Sequence, residues 1–189
     1  MAVSIGNYHP RKGHHVLVDA AATTKAKGLR LGFIIVGDRS DQFCAEVEAR
    51  GLSDVVKFAG VLPVPGWQAG SPDPLADLLV SSRYYISSSM DEGAEGLSLA
   101  LLEGMAAHAC PVVTNISGNR DVIHDGNNGR VVEPRNSGAL ADALIALETD
   151  PAATERLAQE ARKTAGTYGW DVVAKRYLDL YKSLVEGNH

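Results

Sequence analysis

The stretch "DEGAEGLSLALLEGMAAHACPVV", residues 91–113, runs from an acidic, glycine-punctuated loop through an apolar segment into a β-branched one. Apolar residues from Leu97 onward recur at spacings of three and four, which predicts a helix over 97–108, and the β-branched run after it predicts a strand over 111–114. A helix feeding a strand in this way is one unit of a parallel sheet. The same alternation extends in both directions. It predicts further strands over 3–6, 31–36, 55–59, 84–87 and 129–132, and helices over 14–27, 41–50, 74–82, 137–149, 151–167 and 171–185. This order specifies the α/β class, with a doubly wound, mostly parallel sheet of about six strands.

The chain has 189 residues, 45% of them hydrophobic, enough for one domain with a sizeable core, so residues 1–189 are read as a single unit. No stretch is apolar for long enough to span a bilayer, and the N-terminus has no basic region followed by a hydrophobic core, so a soluble cytoplasmic protein is expected. Cys44 and Cys110 are far apart and lack closely spaced ligands, which predicts two buried free thiols. The net charge of −5, without clustered Lys or Arg, argues against nucleic acid as a partner. His14, His15, His108 and His124 show no metal-ligand spacing, and surface or capping roles are expected for them.

Strands in such a sheet end in ligand-binding loops, and "GNYHPRKG", "VGDRS" and "TNISGN" follow three of the predicted strands directly. The stretch "LPVPGWQAGSPDP", residues 62–74, is too rich in proline and glycine for regular structure and reads as a surface excursion, with Trp67 at its tip. The last predicted helix carries Val173, Tyr177, Leu180 and Leu184 on one face with Tyr181 beside them, the pattern of a helix that packs across something.

Gly93, Gly96 and Ser98 fit a turn that presents free backbone N–H groups at a helix start, where the dipole favours an anion; Ser98 reads equally well as a plain helix cap. Glu95 and Glu103 lie eight positions apart, roughly 12 Å at helical rise. Paired acids of a glycoside hydrolase stand only about 5 to 9.5 Å apart, so this spacing suits an elongated ligand. A nucleotide sugar has that form, with a diphosphate for the helix start and vicinal hydroxyls for a carboxylate at each end. Glu103 is flanked by Leu101, Leu102 and Met105 and is expected to be buried and in need of a partner, the alternative being a solvated helix residue. Lys12, with Arg11 beside it, is placed to compensate a diphosphate, although the pair also reads as exposed charges at a helix start.

With these residues in view, the chain resembles the C-terminal half of retaining nucleotide-sugar glycosyltransferases of the GT-B fold, the group 1 or family 4 type that builds bacterial cell-surface polysaccharides and glycolipids. The likeness rests on "IGNYHPRKG", "FIIVGD", "VKFAGVLP", "EGLSLALLEGMAAHACPVV", "SGNRDVIHDGNNGRVVEP", "ALADALIALETDP" and "YGWDVVAKRYLDLYKSL" in succession, and the spacing from Glu95 to Glu103 is its most specific part. The resemblance implies a Rossmann-like domain in which Glu103 holds the donor ribose and Glu95 contacts the donor hexose near the reacting centre. It implies further that the backbone from Gly96 through Leu97 and Ser98 to Leu99 holds the phosphates, that Lys12 neutralises the leaving diphosphate, and that residues 59–62, with Gly60 and Val61, border the nucleobase. No metal and no cofactor beyond the nucleoside diphosphate sugar are implied.

Two departures from the family pattern stand out. Asn7 takes a position where many relatives have an arginine that grips the diphosphate, with Arg11 or His9 available to offset the lost charge. The loop before Glu95 is longer than usual and adds Glu92 as a competitor for the hexose contact. The family enzyme also has an acceptor-binding domain that precedes this one, against which the helix 171–186 packs. The expected partners are therefore the donor, that acceptor-binding domain and a saccharide or lipid-linked acceptor, with peripheral membrane association through the absent domain at the inner face of the membrane. Two other functions compete: a non-catalytic nucleotide-sugar-binding or assembly module, and a sugar-nucleotide epimerase domain. A nicotinamide-binding domain is disfavoured, because "GNYHPRKG" lacks the G-x-G-x-x-G fingerprint.

Overall fold

The computed structural model describes residues 1–63, 71–90 and 96–186. Its sheet has six parallel strands: β1 (Ala2–Ile5), β2 (Phe33–Val36), β3 (Val56–Gly60), β4 (Tyr84–Ser87), β5 (Cys110–Thr114) and β6 (Arg130–Val132). They lie in the order β3-β2-β1-β4-β5-β6. The chain builds outward from β1 to β3, then crosses back to β4 and builds outward the other way. The reversal therefore falls between β1 and β4, the switch point where a doubly wound sheet opens a crevice at the carboxyl ends of its strands.

Eight α-helices are described: α1 (His14–Ala26), α2 (Cys44–Ala49), α3 (Pro74–Val80), α4 (Leu99–Ala106), α5 (Ser117–Arg120), α6 (Ser137–Thr149), α7 (Pro151–Gly166) and α8 (Trp170–Glu186). The strands are apolar on both faces because helices cover both, as a parallel sheet requires. On one face Leu17 and Ala21 of α1 meet Leu140 and Leu144 of α6 over Phe33 and Ile35. On the other, Leu101 and Met105 of α4 and Ala161 of α7 pack over Val3, Tyr85 and Val113. Gly104 allows α4 to sit close to the sheet, since a Cβ there would lie 2.6 Å from the Tyr85 ring.

The six predicted strands and the strand-helix alternation are all present, and four details differ. The helix expected over 41–50 divides into a 3-10 turn, Ser40–Phe43, and the shorter α2, and this leaves Cys44 exposed while Cys110 alone is a buried thiol. A second 3-10 turn, Pro10–Lys12, precedes α1, and the short helix α5 follows β5. The helix expected from Leu97 begins at Leu99, because Ser98 has extended backbone angles and its hydroxyl accepts from the Leu101 N–H, leaving Gly96 and Leu97 as lead-in. Finally, α8 has no buried residue, and Trp170, Tyr177, Leu180, Tyr181 and Leu184 are more than half exposed.

Candidate functional site

The loops after β1, β2, β3 and β4 are fastened to one another at the carboxyl edge of the sheet. The β1 loop is tied to β2 through Gly6 N–H donating to the Val36 carbonyl at 2.8 Å and Tyr8 N–H donating to the Asp38 carbonyl at 2.8 Å. The side chain of Asn7 joins this brace, its Oδ1 accepting from the Asp38 N–H at 2.9 Å. Gly37 N–H in turn donates to the Gly60 carbonyl at 2.8 Å. Asn7 thus acts as a loop brace through its amide oxygen, an acceptor.

The loop after β1 is also stapled to the loop after β4, across the switch point. Ser88 Oγ donates to the Lys12 carbonyl at 2.8 Å, and the Met90 N–H donates to the Arg11 carbonyl at 2.8 Å. Gly13 sits at this crossing with φ of 64°, and a Cβ there would lie 2.1 Å from the Ser88 carbonyl oxygen. Only glycine combines that left-handed backbone with so close an approach. The β4 loop is held from its far side as well, because Thr114 Oγ1 donates to the Ser89 carbonyl at 2.5 Å and the Asn119 amide to the Thr114 carbonyl at 2.9 Å.

Between these loops lies a small polar pocket lined by Ser4, Lys12, His14, the serines Ser87, Ser88 and Ser89, and Ser98. Two segments 86 positions apart in sequence, Lys12 after β1 and Ser98 at the start of α4, therefore share one cavity at the switch point. The Lys12 stem packs over Gly6, where an added Cβ would come within 3.4 Å of it. The start of α1 adds to the field. Gly13 is its N-cap, and no side chain caps it, so its first N–H groups and its dipole are available to an anion. Arg11 is exposed, and its Nε donates to His9 Nδ1 at 3.3 Å.

Glu103 departs from its expected burial and stands exposed on α4. It lies beside an apolar groove formed by Leu97, Leu99 and Leu102 with Tyr168 and Trp170, and beside a second hollow shared with Asp73 and Leu75. Loss of part of its water, and then the Asp73 charge, raise its pKa above the ordinary carboxylate value. An accessible carboxylate needs no protein partner and is free to accept from ligand hydroxyls. Gly60 has a left-handed φ of 63° and Val61 is 69% exposed, so this edge is open rather than walled. Glu95, Glu92 and Trp67 lie outside the described residues.

Sequence reasoning missed two groups. The run "SSS", residues 87–89, lines the pocket and fastens its walls, and its only signal was an unbroken polar run directly after a buried strand. His14, expected at the surface, is 2% exposed in the same pocket. His108 makes an exposed contact, Nε2 to Glu155 Oε1 at 3.0 Å, joining the end of α4 to α7.

Comparison with known proteins bears on this arrangement. Residues 1–164 match the family model described as glycosyl transferases group 1. The phosphatidyl-myo-inositol mannosyltransferase of Mycobacterium leprae is 30% identical over 181 residues, which are 95% of this chain and 46% of that protein. The D-inositol 3-phosphate glycosyltransferase of Corynebacterium urealyticum is 30% identical, over 95% of this chain and 42% of its own length. The chain thus spans about half the length of the curated relatives it matches. Among solved structures, a glycosyltransferase from Rickettsia africae superposes with a TM-score of 0.81 at 23% identity, over 100% of this chain and 48% of that one. The C-terminal domain of the group 1 protein LpcC from Francisella tularensis superposes with a TM-score of 0.73 at 22% identity, over 88% of this chain and 84% of that domain. Anabaena HepE, solved with UDP and glucose, superposes with a TM-score of 0.79 at 22% identity, over 96% of this chain and 48% of that one. The sheet is therefore that of one half of a GT-B glycosyltransferase, and this chain belongs to the glycosyl transferases group 1 family.

Proposed function

We propose that this chain is the donor-binding half of a retaining glycosyltransferase that moves a hexosyl group from a nucleoside diphosphate sugar to a saccharide or lipid-linked hydroxyl, in cell-surface polysaccharide or glycolipid synthesis. The observation that carries the reading is the pocket at the switch point, where Lys12, Ser98 and the uncapped start of α1 converge. A diphosphate at its mouth meets a cation and backbone N–H groups of two helices. As the bond from the anomeric carbon to the phosphate oxygen breaks, negative charge grows on that oxygen, and preorganised donors stabilise it most where charge develops. Lys12 is the point charge for this step. Glu103 receives the ribose hydroxyls, Glu95 the hexose, the backbone from Gly96 to Leu99 the phosphates, and Gly60 and Val61 the edge of the base.

The relatives' names fit this assignment: a mannosyltransferase acting on a phosphatidyl-inositol in one case, and a homologue solved with UDP and glucose in another. The open apolar face of α8 supports an acceptor-binding half packed against it, with the acceptor lying in the cleft between the two. That half would supply the proximity to the acceptor on which turnover depends. Among the described residues no helix is long and apolar enough to cross a membrane. We place the working enzyme at the inner face of the membrane, held there through the acceptor-binding half.

Saturation-transfer NMR on the chain with UDP-, GDP- and ADP-sugars tests the reading. One of the three should show transfer to both its ribose and its hexose protons, and excess free diphosphate should abolish it. Absence of transfer to every donor would defeat the assignment.

A further inference from the structure

His14 is the first residue of α1, and 98% of its surface is covered. Nδ1 is buried without a partner. A polar atom left in this state destabilises the fold, so it calls for a ligand or a water that completes it. The ring is fixed by an edge-on contact with Phe43, centroid to centroid 6.4 Å, and it borders the polar pocket shared by Lys12, Ser88 and Ser98. That pocket has free space for about one water-sized group, which is the size of a single phosphoryl oxygen.

We propose that His14 is a phosphate-contacting residue of the donor site, its imidazole in the pocket lining hydrogen-bonding one oxygen of the diphosphate held by Lys12 and the start of α4. This rests on the reading of the chain as a donor-binding half. Nothing in that reading, which draws on Lys12 and the carboxylates, requires a histidine here. In the ligand-free chain burial, followed by the charges of Lys12 and His15, lowers the pKa of His14 to about 4, so the imidazole waits uncharged at neutral pH. Of the pocket lining, only Lys12 and Tyr85 are titratable beside His14: β1 gives Ser4 and Ile5, the β4 edge gives its serines and α4 gives Ser98, while the 3-10 turn after β2, which carries Asp41, sets Phe43 against the ring, with Tyr8 as that phenyl's other contact. An imidazole and an ammonium then divide the work. Lys12 attracts the anion from a distance, and His14 fixes the orientation of one phosphoryl group at short range.

The experiment is calorimetric titration of the 189-residue chain with UDP, GDP and ADP, for wild type, His14→Phe, His14→Gln and Lys12→Ala. It is paired with ring-nitrogen NMR of histidine-labelled wild type. The nucleotide that binds wild type should bind His14→Phe about tenfold more weakly, with His14→Gln in between and the melting temperature of His14→Phe no lower than wild type. The His14 ring signals of the wild type should move at saturation with that nucleotide, a readout that does not depend on any variant folding. Undiminished binding by His14→Phe, or unmoved His14 signals, would overturn the role of His14 while leaving the donor site intact. No binding of any nucleotide by wild type would overturn both.

Discussion

Glu103 gains its meaning from being exposed. Its pKa is raised, so the charged form is disfavoured in the folded chain, and the sign follows: this group lends stability below its unfolded pKa and loses it as the pH rises through the folded one. Glu103→Gln should therefore leave the thermal midpoint at neutral pH unchanged or slightly higher, while weakening nucleotide binding about tenfold, as calorimetry and a melting curve together would show. His14 titrates in the opposite sense. Its folded pKa of about 4 lies below the 6.5 of an unfolded histidine, so the unfolded state binds the extra proton between those values. Stability should fall as the pH drops from about 6.5 to 4, by at most about 3 kcal/mol, and urea titrations of His14→Phe should show that part of the slope removed. Lys12, Ser98 and Glu103 could be proposed from the sequence because a cation and a capping hydroxyl stand at element boundaries and a carboxylate interrupts an apolar helix. It hid His14, since a histidine opening a helix looks like any surface residue until the loops on either side are seen to close over it.

Two glycines permit the closest approaches between elements around the site. Gly13 crosses under the β4 loop with a left-handed φ of 64°, and Gly104 sets α4 against Tyr85. Gly13→Ala should destabilise the chain by about 2 kcal/mol or more, from the backbone conformation and from a carbonyl contact no rotamer can relieve, and should weaken nucleotide binding by displacing Lys12. Equilibrium unfolding and calorimetry on that variant would check both effects. Strands and long helices were legible because periodicity survives any packing. The break of the 41–50 segment at Cys44 was not, because its pattern is helical throughout and the contacts that accompany the tighter first turn, Phe43 against Tyr8 at 5.6 Å between rings and against His14, come from a loop far away in sequence. The start of α4 at Leu99 rather than Leu97 is a matter of which residue caps, which composition alone leaves open between neighbours.

At the scale of the whole molecule, the sheet order puts Lys12 and the start of α4 side by side, and α8, whose Val173 lies against the α4 groove, leaves Tyr177, Leu180, Tyr181 and Leu184 more than half exposed. Replacing Leu180 and Leu184 together by Glu should change the unfolding free energy of this chain by no more than about 0.5 kcal/mol each, since neither is buried, and denaturant unfolding would show it. A large loss would mean that α8 packs on this domain in solution. On the proposed function, one nucleotide site joins the β1 loop to α4. Its most direct test is a titration of the chain with UDP, GDP and ADP, comparing wild type with Lys12→Ala and Glu103→Ala at matched stability. Saturable binding of one nucleotide is expected, lost in Lys12→Ala and weakened about tenfold in Glu103→Ala. Binding that survives both substitutions undiminished would place the nucleotide elsewhere and rule out a site built on Lys12 and α4.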